Sequence, residues 1–466
     1  MNSLKQLQLF MEPKSIAVVG VSRRTGKDSW NIFQNLLDYG FDGKIYPVNP
    51  AADEILGTKA YPAINAIPDE VDLCVIATPR NTVLDIVRQC TEKGIKAINI
   101  IAQGFADSDE EGKKLQQEIL EIAGQGGARI IGPNTFGTMN AFLNFSTAFP
   151  QMKIQESPIG LICQSGIFFV GLPRFRYGKA IDLGNAGDVD MADCLSYFED
   201  DPEIKVINIH MEGLRQGDKF LKKAKQVVKK KPVIVLKTAR SAHGAKAAQS
   251  HTGALSGNNE IFEKALKQNG IIQVDDMEEL EDVSYGFTRL PRMKGENLAI
   301  AAWAYSTGVM AADACQRYSL EITELASSTL KRLRSISFPD WLPINNPLDL
   351  GGSVISNGLI IEKFKKNIST IIESLMADEN SHAVLIIVPD FLDAFPFSEF
   401  WDISDGIKEL ADTYKQKPLI FSVVGRKGEL NSRLEDIPNI ATYPSPERSI
   451  RVLSRLWQYR RFLSRL

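Results

Sequence analysis

A chain of 466 residues, formal charge -3 and 44% hydrophobic content has the size and make-up of a globular protein of about three domains. Its near-neutral balance excludes the strongly basic face of a nucleic-acid binder, and no uncharged apolar run reaches the ~18 residues of a membrane span. Met1–Pro13 lacks the apolar centre of a signal peptide, and the five scattered cysteines (Cys74, Cys90, Cys163, Cys194, Cys315) form no C-x-x-C pair. That pattern argues against a metal site or disulfide framework and for a reducing, cytoplasmic compartment.

In chain order, Ile16–Val19 is a short apolar strand closed by Gly20, followed by Trp30, Phe33, Leu36 and Leu37 at helical spacing up to Gly40. Ile45–Val48, Leu73–Ala77 and Ala97–Ile101 are further buried-strand candidates, with helices between them capped at Asn81 and Asp107. A second unit, from about Ser157 to Leu290, has strands at Ile159–Cys163, Val206–Ile209 and Val233–Leu236 and helices near 191–199, 217–229 and 258–267. Leu290–Glu296 reads as a linker. A third unit repeats the pattern with strands at Leu298–Ala302, Ala383–Val388 and Leu419–Val424. Continuous apolar strands alternating with helices mean parallel sheets covered on both faces, so the fold class is α/β, three doubly wound units in series at 1–145, 150–290 and 297–466. The final helix, with Arg448, Arg451, Arg455, Arg460, Arg461 and Arg465 beside Ile450, Leu453 and Leu456, reads as docked on the third unit with a solvated basic face.

A strand that ends in Gly20 and leads into a helix is where a parallel sheet places a phosphate-bearing ligand. The glycine fingerprint of dinucleotide sites is absent, Walker A spacing fails at Lys27-Asp28, and the second strand ends in Asn49-Pro50 without an acidic ribose ligand. The loop still offers backbone donors with Arg23, Arg24 and Lys27; the alternative is a plain turn with solvated charges. Of the four histidines, His210 ends a strand, His243 lies in a polar stretch and His382 precedes an apolar run. The fourth, His251, sits in the Gly/Ser-rich segment Ala247–Gly257, where a histidine alone is an ordinary surface residue.

Five short segments in order, each at a strand end, change both readings: Val19–Ser22, Lys44–Pro50, Ala77–Pro79, Ala102–Phe105 and Gly132–Asn134. Together they resemble the CoA-binding domain of the succinyl-CoA synthetase and ADP-forming acetyl-CoA synthetase superfamily. The resemblance implies a Rossmann-like CoA-binding domain followed by two flavodoxin-like domains. It assigns CoA to Gly20, Ser22, Asn49, Thr78, Pro79, Gln103 and Asn134, with Lys27 from the same edge. Lys237–Ala248 leading into Ser250–Gly253 resembles the family's phosphohistidine loop, which makes His251 the phosphoryl carrier and Glu212 the carboxylate that holds its ring. The turn Gln164, Ser165, Gly166 matches the family's phosphate-binding turn, and Gly184–Asp190 resembles a second loop bordering the site. A neutral imidazole, with an ordinary pKa of about 6.5, is a competent nucleophile towards phosphorus.

The implied activity is that of an NDP-forming acyl-CoA synthetase alpha subunit, interconverting acyl-CoA, phosphate and ADP (or GDP) with acid, CoA and ATP (or GTP). ADP/ATP (or GDP/GTP) and Mg2+ are expected on an ATP-grasp beta subunit, and no metal site on this chain. One departure stands out. After Gly166 the chain reads Ile167-Phe168-Phe169 and then Pro173, where the family continues into a long helix. A non-catalytic CoA-sensing or scaffolding subunit is the alternative this departure favours; a nicotinamide-dependent dehydrogenase is disfavoured by the missing glycines.

Overall fold

The computed structural model describes residues 3–22, 30–244, 246, 259–336, 341–351, 361–390, 404–425 and 429–466. Lys27 and His251 lie outside the described residues. The chain divides into two compact units, Met1–Glu281 and Asp282–Leu466.

The first unit contains two sheets. In the first, β1 (Ser15–Val19), β2 (Lys44–Val48), β3 (Leu73–Ile76), β4 (Ala97–Ile100) and β5 (Arg129–Ile131) run parallel in the order β2-β1-β3-β4-β5. Tyr61 bridges in parallel to Val48 beyond β2, the trace of a further edge strand. β1, β3 and β4 are buried along their whole length, as continuous apolar runs require when helices cover both faces. The covering helices include α2 (Ile32–Tyr39), α3 (Arg80–Lys93) and α4 (Glu110–Gln125), preceded in the chain by α1 (Ser3–Met11). Asn31 caps α2 by accepting from Phe33 N and Gln34 N, and Gly40 ends it in the left-handed region. Two expected caps differ. Pro79, not Asn81, precedes α3, and Asp109 caps α4 through Gly112 N. Asp107 instead accepts from Gly104 N and Phe105 N, fixing the turn after β4.

The second sheet takes β6 (Gly137–Asn140), β7 (Phe145–Ser146), β8 (Ile159–Cys163), β9 (Lys179–Asp182), β10 (Val206–Met211), β11 (Val233–Lys237) and β12 (Ile272–Val274) in the order β12-β11-β10-β8-β9-β6-β7. Its five parallel strands follow the flavodoxin-like order. β6 joins antiparallel to β9, and β7 antiparallel to β6, so the expected boundary at 145 falls inside the second sheet. Thr138 and Asn140 make this possible: both are buried, and their side chains donate to Phe10 O and Met11 O at the end of α1. After β8 the chain makes one 3-10 turn, Gly166–Val170, ended by Gly171 at φ 92°. α5 (Met191–Glu199) follows β9, and α6 (Gly217–Val227) follows β10.

In the second unit, β13 (Asn297–Ala302), β14 (Glu321–Ile322), β16 (Ala383–Asp390), β17 (Leu419–Gly425) and β18 (Ile440–Tyr443) form a parallel sheet in the order β14-β13-β16-β17-β18. A two-residue strand β15 (Leu348–Asp349) pairs with β13. The last helix, Pro446–Leu463, buries Ile450, Leu453 and Leu456, but its basic residues are not all solvated. Arg448 makes a two-pronged bond to the fully buried Asp282 at 2.7 Å on each arm, and Arg451 adds a third contact at 3.3 Å. A buried carboxylate requires such partners, which the sequence pattern alone did not supply.

Candidate functional site

The carboxyl ends of the first sheet's strands carry every described CoA candidate. Gly20 N donates to Val48 O at 3.2 Å, Ala77 N to Val19 O at 2.9 Å and Ile101 N to Ile76 O at 2.9 Å, so Gly20, Asn49, Thr78 and Gln103 emerge along one edge. Gly20 has φ +89°, and a Cβ there would meet Ala77 O at 2.6 Å. Only glycine fits that close approach, which brings the backbone after β1 against the end of β3. Asn49 Nδ2 donates to Val21 O at 2.9 Å, and its Oδ1 accepts from Ala51 N at 2.8 Å, so the side chain ties two loops together. Ser22 is held from the other side by Asn31 Nδ2, at 3.0 Å from its carbonyl. Thr78 Oγ1 accepts from Thr82 Oγ1, leaving its own proton for a ligand. Pro79 and Gln103 are exposed, and Asn134, at φ 60°, donates its N–H to Ala102 O at 2.8 Å. A glycine that admits a close backbone approach, with small and amide side chains beside it, suits an extended nucleotide thiol such as CoA. Residues that would hold it are Gly20, Ser22, Asn49, Thr78, Pro79, Gln103 and Asn134.

The second sheet's carboxyl edge is built differently. A cavity of about 420 Å³ lies there, lined by Gln164, Gly184–Asp188, Glu212 and the segment following it. Gln164 Oε1 accepts from Glu212 N at 2.8 Å and Gly213 N at 3.1 Å, locking the turn after β8 to the turn after β10. Its amide nitrogen is therefore the group Gln164 has left for a ligand. The Ser165 N–H faces the Cys163 sulfur, whose thiol is pushed well above its usual range, chiefly by burial. Glu212 is half-buried, and Lys237 Nζ donates to its carbonyl oxygen at 2.7 Å. Burial lowers the Lys237 pKa, against the attraction of Glu212. Lys237 and Thr238 begin the segment that leads towards His251.

Loop 184–188 closes the site and joins the two edges. Asn185 Nδ2 donates to Asp107 Oδ1 at 2.7 Å and Gln116 Oε1 at 3.1 Å, while its buried Oδ1 has no hydrogen-bond partner among the described residues. Burial alone would raise Asp107, but the Asn185 amide and the Gly104 and Phe105 N–H groups hold it below its usual range. Asp188 accepts through both oxygens from Arg129 Nε and also takes the Ile130 N–H, anchoring the loop on β5. Asp182, 2% exposed, accepts from Phe136 N at 2.8 Å and Gly184 N at 3.3 Å. Burial pushes its pKa up to about 6.

His210 plays a larger structural part than a strand-end residue suggests. It is 2% exposed, stacks on Phe168 at 4.0 Å and 17°, and lies 3.3 Å by Nε2 from Thr238 Oγ1. Burial, helped by Lys237, lowers its pKa to about 4, so the ring is neutral. It thus ties the turn after β8 to the start of the His251 segment. No apolar period in the sequence marks that role, because His210 sits in a strand where every side chain is buried. Among the described residues no cluster of His, Cys, Asp and Glu could hold a metal ion, and no helix is long and apolar enough to cross a membrane.

Comparison with known proteins matches these two edges to named families. The CoA binding domain family matches residues 14–141, and the succinyl-CoA ligase like flavodoxin domain family matches residues 156–287. The alpha subunit of ADP-forming acetate–CoA ligase I from Pyrococcus furiosus is 35% identical over 97% of both chains. ADP-forming acetate–CoA ligase of Methanocaldococcus jannaschii is 36% identical over 97% of this chain, which spans 63% of that longer protein. The dinucleotide-forming acetyl-coenzyme A synthetase 1 of Ca. Korarchaeum cryptofilum, solved with phosphate and ADP, superposes with a TM-score of 0.86 at 30% identity, over 98% of this chain and 97% of that one. By sequence and fold over its full described length, the chain belongs to the ADP-forming acyl-CoA ligases, acid–thiol ligases, as a protein of their alpha-subunit type.

Proposed function

We propose that the chain performs the CoA and phosphohistidine half of a reversible ligation in which acyl-CoA, phosphate and ADP (or GDP) give acid, CoA and ATP (or GTP). The observation that carries this reading is the second-sheet cavity. There Glu212, Gln164 and loop 184–188 converge beside Lys237 and Thr238, where the His251 segment starts. The first edge holds the thioester through Gly20, Ser22, Asn49, Thr78, Pro79, Gln103 and Asn134, with Lys27 assigned to the same ligand; the acyl group of the thioester supplies the activated carbonyl. A phosphate oxygen attacks that carbonyl carbon, the C–S bond breaks, and the thiol departs with a proton, leaving an acyl phosphate. A free ring nitrogen of His251 then attacks phosphorus while the carboxylate leaves as the acid. Glu212 holds the other nitrogen and so fixes the tautomer. The side-chain amide of Gln164, the Ser165 hydroxyl and the Gly166 N–H serve as neutral donors to the phosphate. Transfer of this kind depends on positioning and electrostatics, which rigid, cross-linked turns provide.

The nucleotide, ADP/ATP or GDP/GTP with Mg2+, is assigned to an ATP-grasp partner, most simply a beta subunit, and the five free, buried cysteines suit a cytoplasmic enzyme. Phosphorylation tests the reading directly. Acyl-CoA with radiolabelled phosphate, or ATP with the partner, should label the chain with an acid-labile, alkali-stable phosphate, and His251→Asn should abolish it. A second reading, a CoA-binding scaffold without chemistry, is favoured by the single 3-10 turn at 166–170 and by the Ser165 N–H facing Cys163. Equal labelling of wild type and His251→Asn would exclude His251 as the carrier, and a wild type that takes up no label under either condition would leave the scaffold.

A further inference from the structure

Between the two edges runs a row of apolar side chains that the polar chemistry of neither edge requires. Trp30, ahead of α2, is 67% exposed and lies 5.3 Å from Phe149, centroid to centroid, with the planes at 31°. Phe149 meets Phe136 edge to face at 4.9 Å, and Phe136 meets Phe169 edge to face at 6.0 Å. The Phe136 ring reaches the phosphate turn itself: a Cβ on Gly166 would stand 2.8 Å from it. On the same turn Ile167 is 65% exposed and Val170 39%.

The row is held in place by polar anchors. Asn35 Nδ2 donates to Ala148 O at 3.2 Å and Phe149 O at 3.0 Å, and Phe136 N donates to Asp182 Oδ2 at 2.8 Å. Its position is what gives it meaning. Trp30 follows the loop after Gly20, and Gly166 belongs to the turn at which phosphate must meet the carbonyl. A thioester bound on the first edge has to present its carbonyl at that turn, so the body of its acyl group lies against the row joining the two.

On the acyl-CoA ligase reading above, we infer that Trp30, Phe149, Phe136 and Ile167 form the acyl pocket, and that its substrates are aryl-bearing acyl thioesters rather than acetyl-CoA. An acetyl methyl is too small to cover such a row, whereas an aryl ring continues its edge-to-face pattern. A single methylene in an apolar pocket already separates substrates by roughly tenfold or more, so a whole ring should do at least as much. The shortened turn serves this arrangement. A chain that stops after Val170 presents Ile167 and Val170 outward at the place where a longer helix would bury its inner face.

Calorimetry on the full chain with CoA, acetyl-CoA and phenylacetyl-CoA tests the inference, followed by kcat/KM for both thioesters once the chain is assembled with its nucleotide-binding subunit. Phenylacetyl-CoA should bind at least roughly tenfold more tightly than acetyl-CoA and show a similar advantage in kcat/KM. Trp30→Ala and Ile167→Ala, at positions exposed enough for the fold to tolerate truncation, should bring the ratio towards one, while Trp30→Phe keeps most of it. Equal affinity for the two thioesters, with CoA still bound, overturns the pocket and leaves the ligase reading standing. Failure to bind CoA at all overturns both. If the two truncations instead weaken association with the nucleotide-binding subunit and leave the thioester ratio intact, the row is a subunit interface and the pocket is overturned.

Discussion

The two sheet edges of the first unit stand side by side in one fold and obtain their binding surfaces by opposite means. The first edge is made of backbone. Gly20, Asn49 and Asn134 matter for the path the chain takes, and the side chains that face solvent there, Pro79 and Gln103, are bound to nothing in the protein that the structure shows. The second edge is held by buried and half-buried polar side chains that lock its turns: Gln164 accepts from the Glu212 and Gly213 N–H groups, Asn185 donates to Asp107 and Gln116, and Asp182 accepts from the Phe136 and Gly184 N–H groups. An edge of the first kind suits a long, flexible ligand read by shape. An edge of the second kind suits chemistry, because buried polar networks hold their members still and make each loss expensive.

The largest expected effect is therefore on the second edge. Gln164→Met keeps the volume and removes the acceptor, leaving the Glu212 and Gly213 N–H groups without their partner. Stability should fall by about 2 kcal/mol. Because Glu212 would lose its fixed backbone, His251 phosphorylation should slow by roughly a hundredfold. Chemical denaturation and a timed labelling assay measure the two together. A stability loss with unchanged labelling would show that the lock is structural only, and the contrast between the edges would weaken.

On the first edge the sensitive atom is a missing one. Gly20→Ala adds a Cβ 2.6 Å from Ala77 O, in a left-handed conformation. Gly40→Ala has the same handedness, φ +75°, with nothing within 4 Å of the new Cβ. The second should cost about 1 kcal/mol from backbone conformation alone. Gly20→Ala should cost about 2 kcal/mol more and weaken CoA binding at least roughly tenfold, as the loop after β1 is forced off β3. Calorimetry with CoA on both variants separates strain from lost binding geometry.

The first edge was readable for the same reason that it is sensitive. A strand that is apolar end to end and stops at glycine or asparagine writes its own boundary, as Val19-Gly20 and Val48-Asn49 do. β6 was not readable, because Thr138 and Asn140 are polar yet fully buried, satisfied by carbonyls of α1 more than 120 residues earlier. The cap at Asp109 was hidden for another reason: Asp107, two residues earlier, offers the same carboxylate but is taken up by its own turn and by Asn185. His210 and Asp182 were hidden by burial: within a wholly buried strand no alternation shows which side chain works. The aromatic row, too, joins Trp30 to Phe149 across a sequence gap that no local pattern spans.

Titration probes the second edge further, where Asp182 and His210 both lie. Asp182, with its folded pKa raised to about 6 from 3.8, favours the fold when protonated, so its contribution is full below pH 3.8 and is lost as pH rises through 6. His210, lowered to about 4 from 6.5, does the reverse: its contribution is full above pH 6.5 and is lost as pH falls through 4. Each is on the order of 3 kcal/mol, and between about pH 4 and 6 they oppose each other. Measured against wild type, Asp182→Asn should gain stability as pH rises across that window, and His210→Phe, which retains the stack on Phe168, should lose it. Urea denaturation at pH 4.5, 5.5 and 6.5 reads both slopes. Two slopes of the same sign would break the assignment of opposed buried charges.

The smallest effect belongs where the first edge does use a side chain. Thr82 Oγ1 shares its one proton between the Thr78 hydroxyl and Pro79 O, each at 2.9 Å, in an exposed first turn of α3. Water can replace either bond at little cost, so Thr82→Ala should change stability by no more than about 0.5 kcal/mol. What it alters is the rotor of Thr78, which with Thr82 present accepts from its neighbour and so turns its own proton outward. Losing that bias should weaken CoA about twofold, with no effect on His251 labelling once CoA is saturating. Thr82→Ser keeps the donor and should match wild type. A tenfold loss from Thr82→Ala would mean that a side chain, rather than the backbone path set by Gly20, governs the first edge.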